Sequence, residues 1–106
     1  KRKKMGAIAS EFCSRIILTN EDPYDEDPES ILEEIASGIS GDGGAYKKVL
    51  DRRSAIREAI LAAGSGDTII ITGKGAEPWI MGPNHSKIPW DDREVAKEEL
   101  QSIMKP

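Results

Sequence analysis

The chain has 106 residues, 15 Lys and Arg against 19 Asp and Glu, a formal net charge of -4, and 38% hydrophobic residues. That is room for one compact domain with one modest core, hiding roughly 60 to 65% of the surface its unfolded chain would expose, in the balance of an ordinary soluble globular protein. A large self-contained enzyme is excluded by the length, and a general nucleic-acid surface by the missing basic stripe.

The chain opens Lys1-Arg2-Lys3-Lys4 with no initiating Met. No apolar run follows that would make a signal peptide, and none approaches the roughly 18 residues a membrane span needs. The abrupt basic start reads as a cut through a longer protein. Cys13 is the single cysteine, so no internal disulfide forms. A reduced, cytoplasmic compartment is the expectation, with Cys13 a partly buried apolar side chain.

Met5, Ile8, Ala9 and Phe12 recur at helical spacing and predict a helix with one apolar face. Arg15-Ile16-Ile17-Leu18-Thr19 reads as a buried parallel strand. An acidic loop over residues 20–27 ends in Asp27-Pro28, an N-cap and first-turn proline for a helix that buries Ile31, Leu32, Ile35 and Ala36. A glycine-rich connector, 38–44, leads to Val49-Leu50, a candidate brief strand, and to Asp51, a second N-cap. Ala55, Ile56, Ala59, Ile60 and Ala63 predict the next helix, with Gly64 placed to end it in a left-handed conformation. Thr68-Ile69-Ile70-Ile71-Thr72 is the strongest strand signal in the chain. Trp79-Ile80-Met81 and Lys87-Ile88-Pro89 flank a Gly82-Pro83-Asn84 turn and predict a short hairpin. Asp91 with Glu94 opens a last helix burying Val95, Ala96, Leu100 and Ile103. This alternation means an α/β layered fold with a mostly parallel sheet.

Ligands of open parallel sheets sit where loops leave the carboxyl ends of strands. Two loops qualify. The first carries Glu21, Asp22, Asp25, Glu26 and Asp27, enough negative charge to favour a cationic group, although a solvated loop whose last Asp caps a helix explains it too. The second, Gly73-Lys74-Gly75, lets the backbone approach a ligand, with Glu77 close behind. It is neither a Walker loop nor a dinucleotide fingerprint, since Gly75 follows Lys74 and Pro78 stands where a third glycine belongs. His85 has no second His or Cys spaced with it and reads as a surface residue, with no metal site implied. Trp79 and Trp90 read as packing residues near the sheet edge, and Asp91-Asp92-Arg93 as a helix start.

Taken in order, Lys1-Arg2, Glu21-Asp22-Pro23-Tyr24, Glu26-Asp27-Pro28, Asp51-Arg52-Arg53-Ser54-Ala55-Ile56, Gly73-Lys74-Gly75-Ala76-Glu77 and Asp91-Asp92-Arg93-Glu94 resemble the C-terminal domain of Mur ligases nearly end to end. The members most similar are those that add the third residue of the stem peptide, the UDP-N-acetylmuramoyl-tripeptide synthetases. The resemblance implies a Rossmann-like, three-layer α/β/α domain spanning 1–106, its first strand truncated and the central ATPase and UDP-binding domains absent. It implies an ATP- and Mg2+-dependent amide-bond ligase acting on a UDP-linked muropeptide and an amino acid, with this domain alone inactive, monomeric and binding no cofactor itself.

The resemblance also implies an amino-acid pocket at Glu21, Asp22, Tyr24, Gly73 and Glu77, with Lys1 and Arg2 near the nucleotide. Diaminopimelate-adding members carry Asp-Asn-Pro-Arg where this chain has Glu21-Asp22-Pro23-Tyr24, and Gly-Lys-Gly-His-Glu where it has Gly73-Lys74-Gly75-Ala76-Glu77. Tyr24 cannot make the bidentate carboxylate clamp of an Arg, and Asp22 adds charge that repels a second carboxylate. The expectation is therefore an incoming amino acid with a cationic or neutral side chain, lysine first, its ammonium facing Asp22 and Glu77. The alternative is a free-standing α/β module that binds a cationic small molecule or a partner without catalysis.

Overall fold

A computed structural model of the chain describes residues 2–20, 22–39, 45–73 and 79–104. Its elements are α1 (Arg2–Phe12), β1 (Arg15–Leu18), α2 (Pro28–Ala36), β2 (Ala45–Lys48), α3 (Arg52–Ala62), β3 (Trp79–Met81), a 3-10 turn (Pro83–His85), β4 (Lys87–Pro89) and α4 (Asp92–Met104). Strands β1 and β2 pair in parallel, Leu18 opposite Lys48, and β3 and β4 form an antiparallel hairpin, Ile80 opposite Ile88. Parallel neighbours need a crossover, and α2 supplies it. The chain is an α/β domain in which α2 and α3 both pack on β1.

The parallel ladder continues past the strand ends. The Val49 N–H donates to the Leu18 carbonyl at 2.9 Å and the Asn20 N–H to the Leu50 carbonyl at 3.3 Å. The strand expected at Val49-Leu50 is thus the tail of one that begins at Ala45. Tyr46, Lys47 and Lys48 carry no strand alternation; pairing with β1 decides their conformation, and acidic neighbours meet the two lysines. Lys47 Nζ lies 3.0 Å from Glu58 Oε1 on α3, and Lys48 pairs with Glu33 on α2, which raises the Lys48 pKa.

The core sits between β1 and α2. Leu18, Leu32 and Ala36 are buried there, with Ile16, Ile35 and Ile39 packed against them. Leu32 is only 1% exposed, a burial that stabilises by about 1.5 to 3 kcal/mol. The helix α1 departs from its expectation. Its apolar residues do not enter a core: Met5 and Ile8 are exposed and Phe12 is 77% exposed, while Gly6 is the residue it buries. A Cβ on Gly6 would collide with the Ile35 carbonyl oxygen, and one on Gly38 with the Lys3 carbonyl oxygen. Two glycines thus let the α1 and α2 backbones touch, and that crossing turns the apolar stripe outward. Cys13, just past α1, is exposed for the same reason rather than partly buried.

Helix α3 starts as its sequence requires. Asp51 accepts from the Ser54 N–H at 3.0 Å and the Ser54 hydroxyl at 2.7 Å, and Ala55 and Ile56 are buried. The helix ends on extended Ala63, and the left-handed residue of the turn is Gly66, φ 88°, not Gly64. Helix α4 is capped by Asp91, whose carboxylate accepts from the Arg93 N–H at 2.9 Å. Val95 is buried against the domain, but Leu100 stays exposed.

The largest correction concerns 68–72. This segment pairs with none of the four described strands, and Ile70 is 74% exposed. Strand propensity supplies no partner, and the β1 edge that could pair with it makes no ladder hydrogen bond to it. The total accessible surface, 7369 Å², exceeds the roughly 5,800 Å² expected of a compact chain of this mass.

A surface network joins α3 to α4. Arg53 lies 2.8 Å from Glu98 and 2.7 Å from Glu99, and Arg57 lies 3.1 Å from Glu99. The hydrogen bond from Arg53, then that from Arg57, holds the Glu99 carboxyl below the usual carboxylate range; the Ser54 hydroxyl, then its N–H, does the same for Asp51. A carboxylate depressed in the folded state stabilises above its unfolded pKa and loses that contribution as pH falls through the folded value. The urea midpoint should therefore fall as pH drops below about 5, and Glu99→Gln should flatten part of that fall. A midpoint that rises on acidification would contradict the assignment.

Candidate functional site

Two loop stems meet at the carboxyl end of the parallel pair. One leaves β1 through Asn20; the other leaves 68–72 through Thr72 and Gly73. Gly73 has φ 99°, a left-handed conformation that suits glycine, so the backbone turns there as the loop reading requires. Between the stems stands Arg52, the first residue of α3, its side chain 4% exposed. Its guanidinium takes Asp92 in a fork, Nε to Oδ1 and Nη2 to Oδ2, both at 2.8 Å. The same group donates to the Asn20 carbonyl at 3.3 Å and the Thr72 carbonyl at 3.1 Å. Trp90 Nε1 donates to Asp92 Oδ1 at 2.7 Å and fixes the carboxylate from its other side.

The acidic loop is shaped by the hairpin. Asp22 Oδ1 accepts from the Met81 N–H at 2.8 Å, the Tyr24 N–H donates to the Met81 carbonyl at 3.3 Å, and Asp25 Oδ1 accepts from the Asn84 N–H at 2.9 Å. Tyr24, Asn84 and His85 all have positive φ, 54°, 57° and 60°. Each such non-glycine residue costs on the order of 1 kcal/mol, so the clamp of loop on hairpin holds a backbone shape that neither segment adopts alone. It leaves the Tyr24 side chain 54% exposed. The Asp22 bond to the Met81 N–H is one that an amide oxygen would make equally well.

Arg2 closes the other side. Its Nη1 lies 2.8 Å from Glu26 and 2.9 Å from Glu34, and Nη2 donates to Glu26 at 3.1 Å. These bonds raise the Arg2 pKa, Glu26 contributing first, and lower that of Glu26. Arg2, Met5, Asn20, Asp22, Pro23 and Leu32 help line a cleft of about 140 Å³ with an apolar floor and a charged rim. Sites for drug-sized ligands run to roughly 300 to 1,000 Å³, so this cleft is smaller than those.

Of the residues singled out by sequence, Asp22 and Tyr24 share one loop, Gly73 stands at the second stem, and Arg2 is bound to acids of the first loop and α2. Glu21, Glu77 and Lys1 lie outside the described residues. Sequence reasoning placed Asp92 in a helix start and Arg52 in a motif shared with the family, and did not single out Met81 or Asn84 as site residues. The available signal for the first pair was the repeat of Asp before the opening residue of both α3 and α4, Asp51-Arg52 and Asp91-Asp92. His85 is exposed, Lys87 Nζ sits 4.3 Å from the Trp79 ring centroid, and Trp90 serves Asp92. Among the described residues no group of three or more His, Cys, Asp or Glu is placed to hold a metal ion, and no helix is long and apolar enough to cross a membrane.

Residues 1–75 match the family model described as "Mur ligase, glutamate ligase domain". Over 96 residues the chain is 42% identical to the UDP-N-acetylmuramoyl-L-alanyl-D-glutamate--2,6-diaminopimelate ligase of Chlorobaculum tepidum, covering 89% of the chain and 18% of that protein. With the proteins of the same name from Thermosynechococcus vestitus and Gloeobacter violaceus it shares 41% and 44% identity, over 99% and 94% of the chain and 21% and 20% of those proteins. The chain thus spans about a fifth of the length of the curated relatives it matches.

Proposed function

Because the chain belongs to the Mur ligase family, we propose that it is the C-terminal domain of a cytoplasmic, ATP-dependent ligase that joins an incoming amino acid to a UDP-linked peptide precursor of the cell wall. The observation that carries this reading is the convergence of two loop stems, at Asn20 and Thr72, on Arg52 at the carboxyl end of the parallel strands, where such folds bind ligands. In this reading ATP and its Mg2+ are held by other parts of the full-length protein. The sequence has no phosphate loop, and no described carboxylate cluster could ligate a cation. Nucleotide chemistry is therefore assigned to other parts of the full-length protein, and no step is routed through this domain.

Within that reading, the incoming residue carries a neutral or cationic side chain, lysine first. The relatives bear diaminopimelate in their names, so this is a departure from them. Its support is local. Tyr24 stands where diaminopimelate-adding members have Arg, Asp22 is a carboxylic residue on the same loop, and Arg2, which lines the cleft beside Asp22, is already paired with Glu26 and Glu34. A distal carboxylate finds no guanidinium there among the described residues, whereas an ammonium finds Asp22 and, in this proposal, Glu77.

The test is amino-acid incorporation by the full-length protein into the UDP-linked dipeptide, with lysine, ornithine and diaminopimelate in competition. Lysine is expected to be used in preference. Preferential use of diaminopimelate would sink the specificity reading and leave the ligase reading standing; no incorporation of any of the three would sink both.

A further inference from the structure

We propose that Arg52 is a positioning residue for the incoming amino acid, holding the two substrate loops at a fixed separation through their last stem carbonyls. The inference rests on the reading that the loops after Asn20 and Thr72 receive that amino acid. Three features of the guanidinium carry it.

The first is placement. Asn20 opens the first candidate loop and Thr72 stands one residue before the second, and Arg52 donates to the carbonyl of both. The guanidinium is a rigid planar fork, so two oxygens held by its adjacent Nη groups lie within about 9 Å of each other. The two stems are thereby held side by side.

The second is how 68–72 is held. Among the described residues its backbone pairs with none of the four strands; Ile69 and Ile71 line an apolar groove with Ile60, Ala63, Ala96 and Leu100, and a hydrogen bond to the rest of the domain is made at Thr72, to Arg52. In a regular sheet, ladder bonds would set the spacing of these stems; here a side chain does.

The third is cost. A buried ion pair such as Arg52 with Asp92 contributes little net stability compared with an apolar pair of the same volume, because desolvation offsets attraction. Its fork to Asp92, and the Trp90 bond behind that carboxylate, instead fix the direction of the two Nη groups that reach the stems. A lysine would keep the charge and lose the fork.

The experiment is steady-state kinetics of the full-length protein with Arg52→Lys, Asp92→Asn, Tyr24→Ala and, as a control, Arg53→Lys, whose partners Glu98 and Glu99 lie on α4 away from the loops. Arg52→Lys should raise KM for the incoming amino acid about tenfold, with KM for ATP unchanged and kcat within about threefold, since small misplacements of a positioned reactant have effects of this size. Arg53→Lys should leave all three unchanged. Should Arg52→Lys not fold, Asp92→Asn takes its place with the same expected split. A folded Arg52→Lys or Asp92→Asn protein with wild-type KM, alongside a raised KM in Tyr24→Ala, overturns the positioning role and leaves the loop reading intact. If none of these variants moves the amino-acid KM, the loop reading falls and the proposal with it.

Discussion

Replacing Tyr24 by Arg and Asp22 by Asn together in the full-length protein is expected to raise kcat/KM for diaminopimelate over lysine by roughly 10- to 150-fold, a charge-assisted, bidentate hydrogen bond to a carboxylate contributing about 1.5 to 3 kcal/mol. The structure gives reasons to expect the loop to accept the change. Asn at position 22 retains the oxygen that accepts from the Met81 N–H, so the clamp on the hairpin survives while one negative charge leaves. Tyr24 is more than half exposed, so a longer side chain meets no packed neighbour. Its left-handed backbone is held by the hydrogen bond from its own N–H to the Met81 carbonyl, which is indifferent to the side chain. Competition between the two amino acids in one incorporation reaction measures the ratio directly. An unchanged ratio with an intact fold would mean that position 24 does not face the substrate's distal group.

Gly38→Ala is expected to be among the most destabilising single-atom additions available in this domain, costing about 2 to 4 kcal/mol. The new Cβ would fall on the Lys3 carbonyl oxygen, and relief requires moving backbone rather than a flexible side chain. Helix α1 would lift from α2, carrying Arg2 away from Glu26 and Glu34. The same logic applies to Gly6 against the Ile35 carbonyl. Urea unfolding of Gly38→Ala beside Ala36→Gly separates close approach from helix propensity, because the second change leaves the crossing open. Wild-type stability in Gly38→Ala would show that the helices do not touch through glycine.

Much of the fold was legible because it is local. Asp27-Pro28, Asp51 and Asp91 mark three helix starts through an N-cap residue and the one or two residues after it, and all three helices begin there. The Gly82-Pro83-Asn84 turn between two short apolar runs predicts the hairpin, which forms. Where the reading missed, distance along the chain was the reason. Ile69, Ile70 and Ile71 have the side chains of a strand, but a strand is made by its neighbour, and no described strand pairs with it; Tyr46, Lys47 and Lys48 lack the pattern and pair because β1 lies beside them. The apolar stripe of α1 was read correctly as a stripe, yet two glycines, one of them on the far side of α2, decide which face meets the domain.

The candidate site divides the same way. From residue types alone came an acidic loop, a glycine turn and the loss of an arginine at Tyr24, because charge and backbone freedom are properties of single residues. Arg2 binds Glu26 and Glu34, and length and a -4 charge could not say with whom each acid pairs. Only the tertiary structure assigns Asp22 to the Met81 backbone 59 residues away and Arg52 to Asp92 across 40. A hydrogen bond is satisfied by whatever donor the folded chain brings within 3 Å or so, so its partner is set by how helices and strands pack, and packing is decided jointly by the whole sequence.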